Sequence, residues 1–554
     1  MRKNALALSI AAMIGSLGFV GAATADVIPG TGVPGVANLG ATNATDLQVN
    51  NGGLGHALVT PYFTAQDNYG TIISITNSDL TNGKAVKVRF RGASNSDDIL
   101  DFTVLMSPGD IWNATIQRNL STGIAQLVTF DRTCTVPQLA AGQPQSFVTN
   151  RLTSKGANDI PNNTREGYIE MFNMADIQPG TALFTAIKHV NGIPPCTSTT
   201  INAAVFNTNF TAEPAAAAQG FATPTTGLFG SWVIIDVART LTFSGEMSAI
   251  RAIAPTAVPG VFVDGRANFV VFPQNGSAYI APAGTTVSNV TADPIFRIAP
   301  LSTKNFDNTI TTVVAGPAIA AAFFDMPDMS TPYVTTANTG DNRGPLVQAG
   351  SLTASMAVKT IMNDYVNDAV IAAKTDWLFS MPTRRYSVAM DYFPATSRRL
   401  YSSVPPGALA NGAGGPTPQY FHDNNTPLNI VNSQQICVSS TSVTFLDREE
   451  ATKTSGAVFS PGNVTTTQFC GETSILSFAD TAPGPSSVLR ASVARQDTGS
   501  SAFSNGWGIV NTTDASTGLG LPILGYSFIS AVNPFASNGV SGNYGITDNH
   551  RFTR

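Results

Sequence analysis

Charged residues are scarce in this 554-residue sequence, at 12%, against about 25% in an average soluble protein. The formal net charge is −5, and no run of Lys and Arg forms a basic stripe. Nucleic-acid binding needs clustered basic residues, so the sequence argues against it. Because a free monomer usually stays soluble through surface charge, so little charge favours a surface that copies of the same chain cover.

Histidine and catalytic motifs are also scarce. The four histidines, His56, His189, His422 and His550, are far apart, and none has another histidine at metal-ligand spacing. A catalytic histidine needs an oriented neighbour, so a structural role is the simpler interpretation of each. The sequence has no G-x-S-x-G elbow, no S-x-x-K motif and no phosphate-binding loop. We expect no enzyme, although carboxylates that meet only in the fold leave glycoside hydrolysis open.

One group of acidic residues is a candidate calcium site. Asp97, Asp98 and Asp101 lie close together in the sequence, and calcium prefers several carboxylate and carbonyl oxygens. The simpler interpretation is that they are solvated turn residues. The sequence predicts no other cofactor, and it leaves calcium as an aid to assembly open.

Four cysteines, Cys134, Cys196, Cys437 and Cys470, allow three disulfide pairings. An oxidising compartment favours disulfides. We expect the sequential pairing, Cys134 with Cys196 and Cys437 with Cys470, because each bond then closes a loop within one region. No C-x-x-C spacing supports a zinc site.

The first 25 residues have the pattern of a secretory signal peptide. Arg2 and Lys3 precede an apolar stretch at 5–20, and Ala23-Thr24-Ala25 fits the cleavage pattern. Cleavage there leaves Asp26 first in a mature chain of 554 − 25 = 529 residues. The apolar stretch is too short for a membrane anchor, and no other stretch approaches the ~18 apolar residues of a spanning helix. The sequence therefore predicts export.

Period-2 alternation predicts a mainly β fold. In residues 84–91, Val86, Val88 and Phe90 are expected on a buried face, and Lys87, Arg89 and Arg91 on a solvent face. Short strands separated by Pro-Gly and Asn-Gly turns are typical of antiparallel, immunoglobulin-like β-sandwich units. The other predicted strands lie at 71–76, 99–106, 111–116, 123–130, 167–172, 182–189, 231–237, 240–243, 268–272, 375–381, 442–446, 458–460, 474–478, 488–494 and 507–510.

The remaining elements divide the chain into regions. Helical spacing at 351–373 predicts one short helical segment, and residues 404–428 are a long Pro- and Gly-rich loop. We expect a flexible arm at 26–53, an N-terminal β-sandwich region at 54–300, a middle β region with the helix at 301–403 and a C-terminal β region with long loops at 404–554.

Two blocks of the sequence resemble secreted proteobacterial cell-surface proteins. The first contains the runs 55–63, 71–77 and 84–90, followed by Asp101-Phe102 and the run 107–112. The second contains Thr375-Asp376-Trp377 and Met381-Pro382-Thr383-Arg384-Arg385. Together the blocks cover about a quarter of the chain. The resemblance implies a surface-exposed structural role, in some members surface-layer formation, and it supplies no catalytic residue.

Three functions follow as expectations. The first is a self-assembling surface-layer or surface-array subunit, because heterologous contacts between identical chains propagate into sheets or fibres. The second is an adhesin or biofilm-matrix protein, and the third is a secreted hydrolase with an unrecognised carboxylate site. The expected partners are copies of the chain itself and the lipopolysaccharide or glycan of the outer membrane, whose extracellular face is the expected location.

Overall fold

The computed structural model describes residues 27–28, 44–149, 152, 159–205, 213–265, 269–270, 302–304, 310–313, 345–391, 398–401, 420–422, 424–428, 435–449, 468–478, 485–496, 504–533 and 542–554. The predicted signal peptide, the predicted strand at 458–460 and most of the predicted loop at 404–428 lie outside these residues. None of the described helices is long and apolar enough to span a membrane.

The N-terminal part of the described chain contains seventeen strands and four helices. The strands are β1 (Val27–Ile28), β2 (Asp46–Val49), β3 (Ala57–Thr64), β4 (Tyr69–Asn77), β5 (Gly83–Gly92), β6 (Asp98–Met106), β7 (Ile111–Arg118), β8 (Ala125–Val128), β9 (Cys134–Val136), β10 (Gln145–Ser146), β11 (Glu166–Ile177), β12 (Phe221–Ala222), β13 (Leu228–Asp236), β14 (Leu241–Glu246), β15 (Ser248–Pro255), β16 (Phe262–Asp264) and β17 (Phe269–Val270). The helices are α1 (Ile160–Asn163), α2 (Ala182–Ile187), α3 (Ser198–Val205) and α4 (Glu213–Ala218).

The C-terminal part contains seventeen more strands. They are β18 (Ser302–Lys304), β19 (Ile310–Val313), β20 (Ala357–Val358), β21 (Thr360–Val366), β22 (Lys374–Ser380), β23 (Val388–Asp391), β24 (Arg398–Tyr401), β25 (Cys437–Ser439), β26 (Ser442–Asp447), β27 (Gln468–Cys470), β28 (Thr473–Ser477), β29 (Arg495–Gln496), β30 (Asn505–Asn511), β31 (Leu521–Pro522), β32 (Tyr526–Asn533), β33 (Gly542–Asn549) and β34 (Arg551–Thr553). Helix α5 (Pro345–Met356) precedes β20, and a 3-10 helix (Arg384–Tyr386) follows β22.

Two large sheets form an N-terminal sandwich. A nine-stranded sheet has the order β16-β15-β3-β11-β5-β6-β9, with β12 beside β11 and β2 beside β15. A six-stranded sheet has the order β10-β8-β7-β4-β13-β14. Val88 and Phe90 from the first sheet, and Ile73, Trp112 and Trp232 from the second, belong to one buried core. The alternating burial of β4 and β13 shows why period 2 located these strands correctly.

Two smaller sheets form a C-terminal sandwich. A four-stranded sheet has the order β26-β30-β21-β34, and a five-stranded sheet has the order β29-β28-β22-β32-β33. Their core contains Ile361, Tyr365, Trp377 and Phe379. Among the pairs in these four sheets, only β28 and β29 run parallel. The predicted mainly β, antiparallel sandwich class is therefore confirmed.

The five-stranded sheet also contacts the N-terminal sandwich. Tyr526 and Phe528 of β32 pack against Trp232 of β13, with ring centroids 5.2 and 5.9 Å apart. Phe528 also meets Phe243 of β14 edge-on at 5.4 Å. Since aromatic side chains bury large apolar areas, this contact joins the two sandwiches through a continuous core.

Strand pairings cross two of the predicted boundaries between regions. Residues 46–49 of the predicted flexible arm form β2 and pair with β15. The predicted division at 403/404 does not separate sheets, because β21 pairs with β30 and β22 pairs with β28. The C-terminal sandwich is closed by strands from both sides of that division.

The predicted strand at 182–189 is helix α2. The hydroxyl of Thr181 accepts a hydrogen bond from the Phe184 amide at 3.2 Å, which caps the helix start. Leu183, Ala186 and Ile187 cover the nine-stranded sheet together with Ile201 of α3. Apolar runs of this length fit a strand or a buried helix equally well, so periodicity alone does not separate them.

The predicted helical segment at 351–373 changes structure after Met356. Helix α5 ends there, and β21 follows with Ile361, Asn363 and Tyr365 buried at every second position. Three other described helices, α1, α3 and α4, lie where the sequence analysis names no element.

Candidate functional site: a buried ionic layer and a neutral sheet face

The basic side chains of β5 are buried. Lys87, Arg89 and Arg91 are each no more than 1% exposed. The prediction that they face solvent was wrong, although the prediction that Val86, Val88 and Phe90 face the core is confirmed. Alternation shows which residues share a face of a sheet, but it does not show what covers that face.

Sheet register places these cations beside acidic residues. Arg89 pairs across the sheet with Asp101 of β6 on one side and Glu170 of β11 on the other. Asp101 lies 2.7 Å from Lys87 Nζ and 3.2 Å from Arg89 Nε. Because neighbouring strands contribute opposite charges, the charged face of the sheet is internally paired.

Two arginines from the C-terminal region cover this face. Arg385 donates hydrogen bonds from Nη2 to both carboxylate oxygens of Glu170, at 2.8 and 2.7 Å. Arg91 also approaches Glu170, at 3.6 Å, and Arg384 forms an ion pair with Glu472 at 2.9 Å. We call this set the ionic layer. Its residues are Lys87, Arg89, Arg91, Asp98, Asp101, Glu170, Arg384, Arg385 and Glu472, all buried.

Backbone groups complete the contact between the two regions. The Ala93 carbonyl accepts hydrogen bonds from the amides of Glu472 and Thr473, at 2.8 and 3.2 Å. The Asn95 side chain accepts one from the Ile436 amide at 3.1 Å. Tyr168 donates to the Pro382 carbonyl at 3.2 Å. The turn between β5 and β6 is therefore fixed by C-terminal residues.

Burial raises the pKa of Glu472, and the neighbouring Arg384 acts in the opposite direction. Removing a charged group from water is costly unless partners replace its hydration. Each charge of the ionic layer therefore depends on a partner, and some of those partners come from the other region of the chain.

Two buried carboxylates hold the segment 485–496. Asp376 accepts hydrogen bonds from the amides of Val488 and Leu489, at 3.1 and 2.9 Å. Glu166 accepts three more, from the amides of residues 492, 493 and 494, at 2.6, 3.2 and 2.9 Å. Burial raises the pKa of Glu166, while these amide hydrogen bonds lower it. The strand predicted at 488–494 was wrong because carboxylates, not a neighbouring strand, bind these amides.

Both predicted disulfides are present. Cys134 pairs with Cys196, and Cys437 pairs with Cys470. The second bond joins β25 to β27 and lies beside the ionic layer, since Arg384 donates hydrogen bonds to the carbonyls of Ile436 and Gly471, at 2.5 and 3.2 Å. Two disulfides indicate an oxidising environment outside the cytoplasm.

The calcium candidates lie within or beside the ionic layer. Asp98 lies 3.6 Å from Arg91, and Asp101 contacts Lys87 and Arg89. Asp97, the residue before Asp98, is also buried. They are not solvated turn residues. In the described part of the chain, no group of three or more His, Cys, Asp or Glu side chains is arranged to hold a metal ion. Calcium binding by these residues stays a prediction, and the cations beside two of them do not favour it.

The four histidines lie in separate surroundings. His56 is buried, its Nδ1 accepts from the Ala252 amide at 3.2 Å, and burial lowers its pKa to about 3. His550 contacts the Leu378 carbonyl at 2.8 Å, and burial lowers its pKa to about 4. Nδ1 of His189 lies 3.1 Å from the Ser107 hydroxyl and 3.8 Å from the Asp110 carboxylate. Nε2 of His422 lies 3.2 Å from the Asp514 carboxylate. Since Ser107 and Asp110 approach the same nitrogen of His189, they do not form a nucleophile–base–orienter series.

The outer face of the six-stranded sheet is almost without charge. We call it the neutral face and define it as the outward side chains of β4, β7, β8, β13 and β14. One row across these strands is Val128, Thr115, Ile72, Val233 and Ser244. Within these five strands, which are described in full, Glu246 at the edge is the one charged outward residue. The solvent-facing side of the six-stranded sheet thus has fewer charged side chains than the buried face of the nine-stranded sheet that carries the ionic layer.

Comparison with family models, curated proteins and solved structures finds no match to the chain. Within the chain itself, the two blocks that the sequence analysis singled out meet at the ionic layer. Lys87, Arg89 and Asp101 belong to the first block, and Arg384 and Arg385 belong to the second. The sequence pointed to both blocks, but it did not show that Glu170 lies between them, opposite Arg89 in the sheet and bound to Arg385. The alternating cations of β5 were the available signal, because a buried cation requires an acidic partner.

Proposed function

We propose that the mature chain is a non-catalytic structural subunit of a bacterial cell surface that assembles with copies of itself into a surface layer. The observation that carries this proposal is the distribution of charge. Nine charged side chains are buried in the ionic layer, whereas the neutral face presents mainly serine, threonine, asparagine, glutamine, aliphatic and phenylalanine side chains. Interfaces between proteins are depleted of charge at their centres, so such a face suits repeated contact.

The internal contacts suit a building block that keeps its shape. The ionic layer, the segment bound by Asp376 and Glu166, and the shared aromatic core join the two sandwiches at separate places. A lattice requires the same relative position of its contact surfaces in every copy. A subunit whose two parts moved independently would not supply it.

The location and partners follow from the same proposal. Disulfides suit a compartment outside the cytoplasm, and the leader-like residues 1–25 suit export. We place the subunit on the extracellular face of the outer membrane, attached non-covalently through lipopolysaccharide or another surface glycan. The low content of basic residues disfavours nucleic acid as a partner.

An adhesin is the second candidate, and one exposed aromatic residue favours it. Trp507 on the four-stranded sheet is 40% exposed, and the register places it opposite Asp364. Asp364 lies 3.9 Å from Arg551. An exposed indole ring beside paired charges offers both an apolar surface and hydrogen-bonding groups to a ligand. The hydrolase alternative gains less support, because Glu166, Asp176 and Glu472, whose pKa values are raised, are fully buried.

Electron microscopy of isolated cell envelopes and of the purified mature chain, with and without calcium, tests the proposal. A regular lattice or filament that contains this chain supports a surface-layer subunit. Scattered single molecules on the envelope support the adhesin. A chain that stays dispersed and turns over a substrate overturns the structural role.

A further inference from the structure

The outward side chains of the neutral face are partly or strongly exposed in the described chain. Its strands are hydrogen-bonded neighbours, and their outward side chains form aligned rows, of which Asn113, Ser74, Ser231 and Glu246 is another. Phe229 and Ile111 lie at one end of the face and are 42% and 48% exposed. Large apolar side chains on one solvent face of a sheet mark a surface for association more strongly than single ones scattered over loops.

We propose that the neutral face of one copy packs against the neutral face of a second copy around a two-fold axis. This inference rests on the proposed function and identifies the surface through which two copies first associate. In a two-fold contact, a residue near the axis meets the same residue of the other copy. A charge near the axis would therefore meet an identical charge. This repulsion would weaken the association of the two copies.

The positions of charge on the face fit this geometry. Ile72, near the middle of the sheet, has Thr115 and Val233 as its cross-strand neighbours, so none of the three introduces a charge near the centre. Glu246 lies on β14, the strand at the edge of the sheet. A glutamate at the rim remains solvated in such a pair, because interface rims are polar and accessible.

The area of the face is at the low end for a protein interface. Its five strands contain 36 residues in all, and at about 3.4 Å for each residue and about 4.8 Å between strands they cover roughly 600 Å². Stable interfaces bury about 800 Å² on each partner. Two sheets can stack face to face about 10 Å apart, so the contact needs no change in either sandwich.

Several other exposed apolar side chains in the described chain are isolated from one another. Leu80, Leu120 and Val370 are each more than three-quarters exposed, but they lie separately in turns. Single exposed apolar residues are common on proteins and do not indicate a partner. A dimer formed through the neutral face would still leave other surfaces free to extend the pair into a lattice.

Charge substitution at Ile72 tests the inference. Ile72→Glu and Ile72→Lys are each purified as the full mature chain, and their association is measured by sedimentation velocity beside the wild type. Each variant alone should associate at least about tenfold more weakly, because like charges meet at the axis. An equimolar mixture should recover association as mixed pairs. A loss of association alone could come from misfolding. Recovery of association in the mixture shows that both variants are folded.

Matched controls separate the outcomes. Val370→Glu places the same charge on a strongly exposed apolar residue of the C-terminal sandwich and should leave association unchanged. Ser231→Glu and Ser231→Lys charge the same face at an exposed serine and should also weaken association. If the wild type and the Ile72 and Ser231 variants associate equally well, this inference is wrong and the proposed function stands. If the wild type does not associate at any concentration, the proposed function itself is wrong.

Discussion

Arg385 of the C-terminal region binds the Glu170 carboxylate of the N-terminal sandwich through two hydrogen bonds, at 2.8 and 2.7 Å. Both side chains are 1% exposed. A buried pair of this kind adds little net stability over an apolar pair, but the loss of one partner leaves the other charge buried and uncompensated. The pair therefore acts mainly by specifying how the two regions dock.

Removal of Arg385 should destabilise the protein strongly. We expect Arg385→Ala to lower the free energy of unfolding by about 3–5 kcal/mol, because Glu170 loses a buried partner that binds both of its carboxylate oxygens. The double variant Glu170→Gln/Arg385→Gln should cost less than the sum of the two single changes, since both charges leave together. Equilibrium unfolding in guanidinium chloride measures the free energy of unfolding of each variant.

Arg551→Ala is the control for Arg385. Arg551 and Asp364 lie 3.9 Å apart, but each is about two-thirds exposed, so solvent screens their attraction. We expect little change in stability from this variant. An Arg385→Ala protein as stable as the control would show that the buried pair does not contribute to docking.

Glu166 should determine whether the segment 485–496 stays closed. Glu166→Gln replaces one acceptor oxygen by an amide donor that faces backbone amides, and buried donors without acceptors are costly. We expect faster hydrogen exchange of the amides at 492–494 in this variant. Glu246→Gln, at an exposed position, is the matched control, and equal exchange in both variants would contradict the assigned role.

The Cys437–Cys470 disulfide should stabilise the docked state. It closes a loop with a sequence separation of 33 residues, for which loop entropy gives roughly 3–4 kcal/mol. Its loss should also loosen Arg384, which donates to the carbonyls of Ile436 and Gly471 on either side of the bond. A Cys437→Ser/Cys470→Ser protein should therefore melt at a lower temperature in calorimetry, and an unchanged melting temperature would contradict this account.

Acid should destabilise the fold through two histidines. The pKa values of His56 and His550 are lowered to about 3 and about 4, from 6.5. Between these values and 6.5 the unfolded chain binds protons that the folded chain does not, so stability falls as pH falls through this range. At pH 5 each histidine should cost the fold about 2 kcal/mol relative to pH 7.

His550→Gln isolates this effect. Burial raises the pKa values of Glu166 and Glu472, and such carboxyls change stability in the opposite direction. The difference between wild type and variant is therefore the useful quantity. We expect the loss of stability between pH 7 and pH 5, measured by urea unfolding, to be smaller in His550→Gln, and an equal loss in both proteins would show that His550 does not titrate as described.

The sequence was sufficient where a residue's neighbours in the chain determine its structure. Alternation located β4 to β7 and identified the core side of β5 through Val86, Val88 and Phe90. Cysteine spacing within each region led to the correct disulfides. These features depend on local pattern or on short loops.

The sequence was insufficient where distant residues determine the structure. Lys87 and Arg89 match a solvent-facing pattern, but a segment almost 300 residues later covers their sheet. Residues 488–494 have strand composition, but Asp376 and Glu166 bind their amides. In both cases the deciding partner is a side chain whose position no local pattern reveals.

The central claim is that the nearly uncharged outer face of the six-stranded sheet lets this protein associate with copies of itself. The molar mass of the purified mature chain, measured by light scattering across a wide concentration range at physiological salt, tests it most directly. We predict that the mass rises from monomer to dimer and then to larger assemblies as the concentration increases. A mass that stays at that of one chain at the highest concentration, with and without calcium, would contradict the account.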